Sequence, residues 1–255
     1  MTITDIRGVP TWIEQRGTGD PVLLLHGGFG HSGEYESSLW ALADAFRVIA
    51  YDRRGHGRTP DIGEWTRAIL VGDCAAVIEA AADTPVHVVG YSDGGLVAAG
   101  VASARPELVR SLTLVSTALQ PSGWIALPPE PDPADPTAGF PPQVLDAYTA
   151  LSPDGLQNFP NVVRKASALA REEPDRADAL AVYPGRVLVI AADDDIVTLE
   201  SQLALYRTLQ KGELAIIPGT SHDSPREKPH FVTLLVRQFL TEQPLATHIP
   251  IHRAG

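Results

Sequence analysis

A serine between two glycines, Ser92 flanked by Gly90 and Gly94, is the residue of this sequence best suited to chemistry. It follows an apolar β-type run, residues 86–89, and precedes a helix-like stretch that begins at Leu96. The pattern G-x-S-x-G at a sharp strand-to-helix turn presents a serine hydroxyl for nucleophilic attack, because glycines leave room for the tight backbone. The alternative is an ordinary tight turn in which the serine caps the helix. The five-residue pattern does not decide between the two.

Two groups that could work with that hydroxyl lie far along the chain, each after an apolar run. The acidic cluster Asp193-Asp194-Asp195 follows residues 187–190, and His222 follows a Gly-Thr-Ser turn. A serine nucleophile needs a base to take its proton, and a histidine oriented by a carboxylate is a recurring partner. The order Ser, Asp, His along the chain therefore predicts acyl-transfer chemistry, with Asp194 or Asp195 as the acid.

A glycine-rich turn, His26-Gly27-Gly28-Phe29-Gly30, ends the first predicted parallel strand. Bare backbone N–H groups in such a turn stabilise the negative charge that develops on a carbonyl oxygen under attack. We expect Gly28 to donate one N–H and Asp93, directly after the serine, to donate the other. Glycine-rich turns also bind phosphates, but this one matches neither G-x-G-x-x-G nor a Walker sequence with its lysine.

The residues above must be positioned by a sheet. Six short apolar runs predict strands buried on both faces, namely residues 22–26, 48–51, 86–89, 112–115, 187–190 and 214–217. Helix-like segments lie near residues 34–45, 66–82, 95–104, 199–210 and 228–241. Strands that alternate with such helices indicate crossover connections, so we expect an α/β fold with a mostly parallel twisted sheet flanked by helices. Residues 2–15 predict an antiparallel hairpin or meander.

The alternation breaks after residues 112–115, which form the sixth strand once the N-terminal hairpin is counted. Residues 121–142 are crowded with prolines, and short helices are compatible with residues 143–150 and 162–171. We predict a small, mainly helical cap inserted at residues 119–186. The alternative is a disordered loop, which the recurring aromatic residues and leucines of the insert disfavour.

The domain organisation follows from this insertion. We expect a core made of residues 1–118 and 187–243, the cap between them, and a C-terminal tail at residues 244–255. A short cap implies a small or medium substrate held between cap and sheet. We expect Phe29, Trp124 and Tyr148 to contact that substrate; packing of the cap on the core is the alternative for the apolar cap residues.

At these spacings the motifs resemble those of the α/β-hydrolase superfamily over residues 11–241. The matching segments are residues 26–28, 52–59, 90–95, 192–195 and 219–222. The resemblance implies the α/β-hydrolase fold, with Ser92 as nucleophile and His222 as the base. The family pattern has glycine three residues before the acid, where Ala192 stands here, and this alignment selects Asp195. Sliding the alignment by one residue selects Asp194. Of the two, we predict Asp195 as the acid, with Asp194 as the alternative.

The segment at residues 52–59 is, in the superfamily, a loop at the carboxyl edge of the sheet near the active site. Its arginines are expected to hold the loop by salt bridges; they are Arg53, Arg54 and Arg58. Three histidines are expected to be structural: His26, His56 and His87.

The resemblance leaves the reaction open, because one triad frame serves many reactions. Serine at position 92 argues against epoxide hydrolases and haloalkane dehalogenases, which use aspartate there. We expect a serine esterase that cleaves a small or medium carboxylic ester through an acyl-enzyme. The alternatives are a lactonase, thioesterase, carbon–carbon bond hydrolase or perhydrolase, or a non-catalytic ligand-binding module. Asp93 suggests a preference for α-amino acid esters; its alternative role is to cap the helix behind the elbow.

Composition limits the classes of binding partner and the cellular compartment that we expect. A net charge of −11 over 255 residues argues against nucleic-acid binding, because phosphate contact needs clustered Lys and Arg. The single cysteine, Cys74, excludes an intramolecular disulfide and a thiolate metal cluster. Neither a membrane-spanning apolar run nor a signal-peptide pattern is present in the sequence. We therefore expect a cytoplasmic monomer or homodimer that acts on a small-molecule ester and needs no metal and no organic cofactor.

Overall fold

The computed structural model describes residues 1–127, 132, 135, 137–171 and 178–241. One eight-stranded sheet runs through this part of the chain. In chain order its strands are β1 (Thr2–Ile6), β2 (Val9–Arg16), β3 (Pro21–Leu25), β4 (Arg47–Tyr51), β5 (Val86–Tyr91), β6 (Val109–Val115), β7 (Arg186–Ala192) and β8 (Gly212–Ile217). The six predicted apolar runs form the bodies of β3 to β8, and the predicted N-terminal hairpin is β1 and β2.

The strands lie side by side in the order β1-β2-β4-β3-β5-β6-β7-β8. Strands β3 to β8 pair in parallel, whereas β1 and β2 are antiparallel to their neighbours. All five residues of β3 are buried, because the strand has neighbours on both edges and packed layers on both faces. The predicted mostly parallel sheet and the α/β-hydrolase fold are confirmed.

Helices cover both faces of the sheet. The described α-helices are α1 (Arg67–Ala81), α2 (Asp93–Ala104), α3 (Pro142–Leu151), α4 (Phe159–Arg171), α5 (Leu199–Thr208), α6 (Ser224–Glu227) and α7 (Pro229–Thr241). Alternate residues of a strand point to opposite faces, so Leu23 and Leu25 pack in the apolar cluster of α1, α2 and α5. Val22 and Leu24 pack in the cluster that includes residues of α7.

The predicted helix near residues 34–45 is wrong. Two short 3₁₀-helices, Ser32–Tyr35 and Leu39–Asp44, occupy this stretch. Ser38 lies between them with φ −134° and ψ −98°, outside the helical region, so one continuous α-helix cannot pass through it. The apolar residues that suggested a helix are nevertheless buried against the sheet.

Helices α3 and α4 lie between β6 and β7 in the chain, within the predicted cap. Tyr148 of α3 and Phe159, Val162 and Val163 of α4 share an apolar cluster with Trp65 of the core. Residues 128–131 of the proline-rich segment and the predicted tail at 244–255 lie outside the described residues. In the part of the chain that the structure describes, no helix is long and apolar enough to span a bilayer.

Candidate active site

Ser92 stands at the turn between β5 and α2 with a backbone that few residues adopt. Its φ is 54° and its ψ is −124°, in the left-handed half of the conformational map. The flanking glycines make the turn possible: a Cβ on Gly94 would overlap the carbonyl oxygens of Leu25 and His26, and one on Gly90 would lie 2.7 Å from the Gly94 oxygen. The predicted strand-to-helix elbow is therefore present.

The serine, histidine and aspartate form one chain of hydrogen bonds. Ser92 Oγ lies 2.9 Å from His222 Nε2, and His222 Nδ1 lies 2.7 Å from Asp195 Oδ1. Asp194 is exposed and does not contact the imidazole; its backbone N–H donates to the Thr220 oxygen at 3.1 Å. Of the two candidate acids left open by the sequence, it is Asp195 that meets the histidine.

The surroundings of Asp195 favour its charged form. Burial opposes ionisation, but the hydrogen bond and charge of His222, together with the Ser116 hydroxyl and the Val197 N–H, outweigh it and lower the pKa of Asp195. The Val197 N–H also donates to Asp195 Oδ1, at 3.0 Å. Because an ionised carboxylate only accepts, Nδ1 of His222 carries the proton in this pair. The other ring nitrogen, Nε2, is then the acceptor for the Ser92 hydroxyl, which is the arrangement a general base requires.

The glycine-rich turn lies directly across from the elbow. Gly28 and Asp93 both line the cavity at Ser92, and a Cβ on Gly28 would stand 3.8 Å from that of Asp93. Asp93 is the first residue of α2, so its N–H has no partner within the helix. His26 holds the turn in place: Nδ1–H donates to the Gly27 oxygen at 2.7 Å, and Nε2 accepts from the Arg53 N–H at 3.0 Å.

The Asp93 side chain is held by two arginines. Arg53 Nη1 lies 2.6 Å from Oδ2, and Arg67 Nη2 lies 3.0 Å from Oδ1. Burial alone would raise the pKa of Asp93, but the two guanidinium groups outweigh it and hold that pKa below its ordinary value. The carboxylate therefore neither caps α2 nor stands as an uncompensated negative charge.

The salt bridges predicted for the loop at residues 52–59 are confirmed. Besides the pair of Arg53 with Asp93, Arg54 lies 2.9 Å from Asp73 and Arg58 lies 3.1 Å from Asp52. His56 is buried in the same loop, where burial lowers its pKa to about 4.

A mostly apolar cavity of about 420 Å³ opens at Ser92, between the core and the predicted cap. Phe29 and Trp124, two of the three predicted substrate contacts, line it, and the Trp124 ring lies 6.2 Å from that of His222. The prediction for Tyr148 is wrong: its side chain is buried inside the cap against Phe159, at 5.0 Å between ring centres, and does not line the cavity. An aromatic residue on a short amphipathic helix packs inward by default.

Several cavity-lining residues were not predicted as substrate contacts. His56, Trp65 and Arg67 come from the loop after β4 and the start of α1. Leu96 comes from α2, Ile196 from the loop after β7, and Val144, Ala166 and Leu169 from the predicted cap. Only His56 had a signal in the sequence, since its loop was expected near the site. Among the described residues, no cluster of three or more His, Cys, Asp and Glu side chains is arranged to hold a metal ion.

Comparison with known proteins places the chain in a family. The sequence model of the alpha/beta hydrolase family matches residues 22–233, which is most of the chain. The chain therefore belongs to the alpha/beta hydrolase family.

Among curated proteins, a pimeloyl-[acyl-carrier protein] methyl ester esterase of Methylococcus capsulatus is 39% identical over 104 residues. That match covers 41% of this chain and 39% of the relative. A putative carbamate hydrolase of Azorhizobium caulinodans is 37% identical. In both matches the aligned residues span about two fifths of the relative's length.

Solved structures resemble the chain over nearly its whole length. A thermophilic esterase from Thermogutta terrifontis has a TM-score of 0.74 at 26% identity, and the match covers 94% of this chain and 96% of that one. A meta-cleavage product hydrolase from Pseudomonas fluorescens IP01 has a TM-score of 0.73 at 21% identity, covering 91% and 94%. At the latter identity the likeness shows the fold alone.

Proposed function

We propose that this protein hydrolyses a small or medium carboxylic ester through an acyl-enzyme intermediate on Ser92. The observation that carries the proposal is the unbroken chain of hydrogen bonds from Ser92 Oγ through His222 to Asp195, with links of 2.9 and 2.7 Å. A hydroxyl at the mouth of a cavity, with its proton acceptor already in hydrogen-bond contact, is arranged for nucleophilic attack.

In the first half-reaction, Ser92 Oγ attacks the ester carbonyl while His222 Nε2 takes the hydroxyl proton. The negative charge moves to the carbonyl oxygen, where the N–H groups of Gly28 and Asp93 stabilise it. The tetrahedral intermediate then collapses: the bond to the alcohol oxygen breaks, and the imidazolium returns its proton to that oxygen. An acyl group remains esterified to Ser92.

In the second half-reaction, a water molecule replaces the alcohol. His222 takes a proton from the water as its oxygen attacks the acyl carbonyl, and the bond to Ser92 Oγ breaks as that oxygen regains a proton. The products are a carboxylic acid and free enzyme, and the ionised Asp195 stabilises the imidazolium in both halves.

The cavity supports neutral acyl groups as substrates. Its lining is largely apolar, from residues such as Leu96, Phe140 and Leu169. The α-amino ester preference suggested by Asp93 requires a negative charge free to attract an ammonium group. Both carboxylate oxygens of Asp93 instead face guanidinium groups, from Arg53 and Arg67, so we propose no preference for cationic acyl groups.

Among the proteins that the chain resembles, two are named as esterases, and they support an ester as the substrate. One is the Methylococcus capsulatus methyl ester esterase, which matches part of the chain. The other is the Thermogutta terrifontis esterase, which matches nearly all of it.

The proposal is tested by labelling with a fluorophosphonate and by turnover of p-nitrophenyl acetate. We expect the wild-type protein to be modified at Ser92, and Ser92→Ala to lose both labelling and turnover, because the nucleophile is gone. A panel of acetyl, α-aminoacyl, lactone, thioester and peracid assays then defines the substrate class.

A folded wild-type protein that resists the reagent, also under conditions that loosen the cap such as low concentrations of organic solvent, would contradict the proposal. That result would favour a ligand-binding module on the same fold. Turnover of α-aminoacyl esters far above acetyl esters, reduced in Asp93→Asn, would contradict the proposed preference for neutral acyl groups.

A further inference from the structure

Asp61 lies in the loop between β4 and α1, where the core meets the cap, and its side chain is only 4% exposed. Oδ1 accepts hydrogen bonds from Lys165 Nζ at 2.7 Å and from Trp65 Nε1 at 3.0 Å. Oδ2 accepts one from Asn158 Nδ2 at 3.2 Å, and the Asp61 N–H donates to Asp154 Oδ2 at 2.7 Å. One core residue thus holds three residues of the insert and one aromatic side chain of the core.

The aromatic side chain in question, Trp65, forms part of the cavity wall. Its ring stacks on that of His56, with centres 5.2 Å apart and an angle of 24°. It also packs so closely on Gly55 that a Cβ there would overlap it, and Lys165 Nζ lies 5.8 Å from its centre. The indole therefore has one buried acceptor, Asp61, and contacts on several sides that fix its orientation.

The cap side of the same wall is formed by α4. Ala166, the next residue after Lys165, and Leu169, one turn further along the helix, both line the cavity. Lys165 Nζ also donates to the Gly63 oxygen at 2.9 Å, so its ammonium is tied to the core at two points. The pair of Lys165 with Asp61 consequently fixes how far α4 stands from Trp65.

We propose that Asp61 is a positioning residue that sets which apolar chain the cavity admits, by fixing Trp65 and α4 relative to each other. Asp61 does not itself line the cavity at Ser92 and touches none of the reacting groups described above. The inference rests on the proposed function in one respect: the chain it selects is the straight acyl chain of the ester. Discrimination between acyl chain lengths then depends on the cavity wall formed by Trp65 and α4 having the same shape before and after the substrate binds.

The test is the dependence of kcat and KM on acyl length, measured with p-nitrophenyl esters from two to twelve carbons. In Asp61→Asn, which loses the charge that holds Lys165, we expect the ratio of kcat/KM between best and worst ester to fall by about tenfold. The change should come from KM of the preferred ester, with kcat for acetate preserved. Trp65→Phe and Lys165→Met should each give part of the effect and add little to Asp61→Asn.

Asp20→Asn is the matched control, because it removes an aspartate from an exposed pair with Arg110 at 2.7 Å, and its length profile should equal that of the wild type. A profile in Asp61→Asn within about twofold of the wild type, whatever the change in Tm, would overturn the inference. If Asp61→Asn does not fold, Lys165→Met and Trp65→Phe carry the same test.

Failure of the proposed function is distinguishable from failure of this inference. If the wild type hydrolyses none of the esters, binding to the cavity is measured instead. The readout is the rise in Tm that each straight-chain 1-alkanol of four to twelve carbons produces, compared between chain lengths. The wild type should discriminate between lengths and Asp61→Asn should not; equal discrimination by both would overturn the role of Asp61.

Discussion

At the level of single residues, the site depends on a serine with a strained backbone and on one of two neighbouring aspartates, Asp195 and not Asp194. The positive φ of Ser92 costs on the order of 1–3 kcal/mol for a residue with a side chain. The surrounding backbone holds this conformation, since the Ser92 N–H donates to the Val115 oxygen at 2.9 Å and the Ser92 oxygen accepts from the Gly95 N–H at 2.9 Å. The turn places the hydroxyl against His222. Asp195 is almost fully buried behind the imidazole, with a side chain 1% exposed, whereas Asp194 is in solvent.

This difference predicts opposite outcomes for two neighbouring substitutions. Asp195→Asn should lower kcat by about 10³- to 10⁴-fold. The amide NH₂ would donate to His222 Nδ1, so the imidazole proton would lie on Nε2, and this nitrogen could then no longer accept the proton of the Ser92 hydroxyl. Asp194→Asn should leave kcat within about twofold of the wild type, since its side chain does not touch the site. Steady-state kinetics on one ester checks both, and equal losses in the two variants would disprove the assignment of Asp195.

At the scale of elements, the elbow requires that α2 start unusually close to the neighbouring strand β3. Gly94 sits against the carbonyl oxygens of Leu25 and His26, which are backbone atoms that cannot swing aside. This close approach also brings the N-terminus of α2 beside the turn that contains Gly28. The glycine is therefore a packing requirement of the strand–turn–helix unit.

Gly94→Ala should lower the free energy of unfolding by about 1–3 kcal/mol, because the added methyl group forces β3 and α2 apart. Gly28→Ala is the comparison: the nearest atom to its added Cβ is 3.8 Å away, so its stability should stay within about 0.5 kcal/mol of the wild type. Urea denaturation measures both. The packing argument fails if the two variants are equally stable.

At the scale of the whole molecule, buried histidines link stability to pH. Burial lowers the pKa of His56 and of His87 to about 4 and that of His26 well below its ordinary value. Such groups stay neutral in the folded protein but take up protons when it unfolds, so their contribution is present above pH 6.5 and is lost as pH falls towards 4. Glu34 has the opposite effect, because burial raises its pKa to about 7. Its contribution to the free energy of unfolding therefore decreases as pH rises from 4.5 to 7.

His87 is a suitable probe because it lies on β5 away from the cavity, hydrogen-bonded to Ser111 at 2.6 Å. A shift from 6.5 to about 4 corresponds to about 2 kcal/mol lost between pH 8 and pH 5. In His87→Gln, the fall in the free energy of unfolding between these pH values should be smaller than in the wild type by about that amount. Denaturation curves at both pH values measure it; an unchanged fall would show that His87 is not protonated preferentially on unfolding.

The residues that sequence reasoning identified at the site are those with restrictive local requirements. Gly90 and Gly94 leave room for a turn that side chains would block, and apolar runs such as β3 are apolar because both of their faces are covered. Tyr148 and Trp65 show where such reasoning stops. Both are aromatic residues with no local signature, yet one packs inside the cap and the other lines the cavity, because packing between distant segments decides which ring faces the substrate.

The alternation of strands and helices, the elbow at Ser92 and the order of the three reactive groups could be predicted from the sequence alone. Backbone sterics and burial periodicity act over a few residues, so they leave a local pattern. Two features needed the folded structure: the hydrogen bond of Asp195, and not Asp194, to His222, and the compensation of Asp93 by Arg53 and Arg67. These contacts join residues 26 to 40 positions apart. A hydrogen bond depends on distances of a few tenths of an ångström, which only the packing of the whole sheet sets.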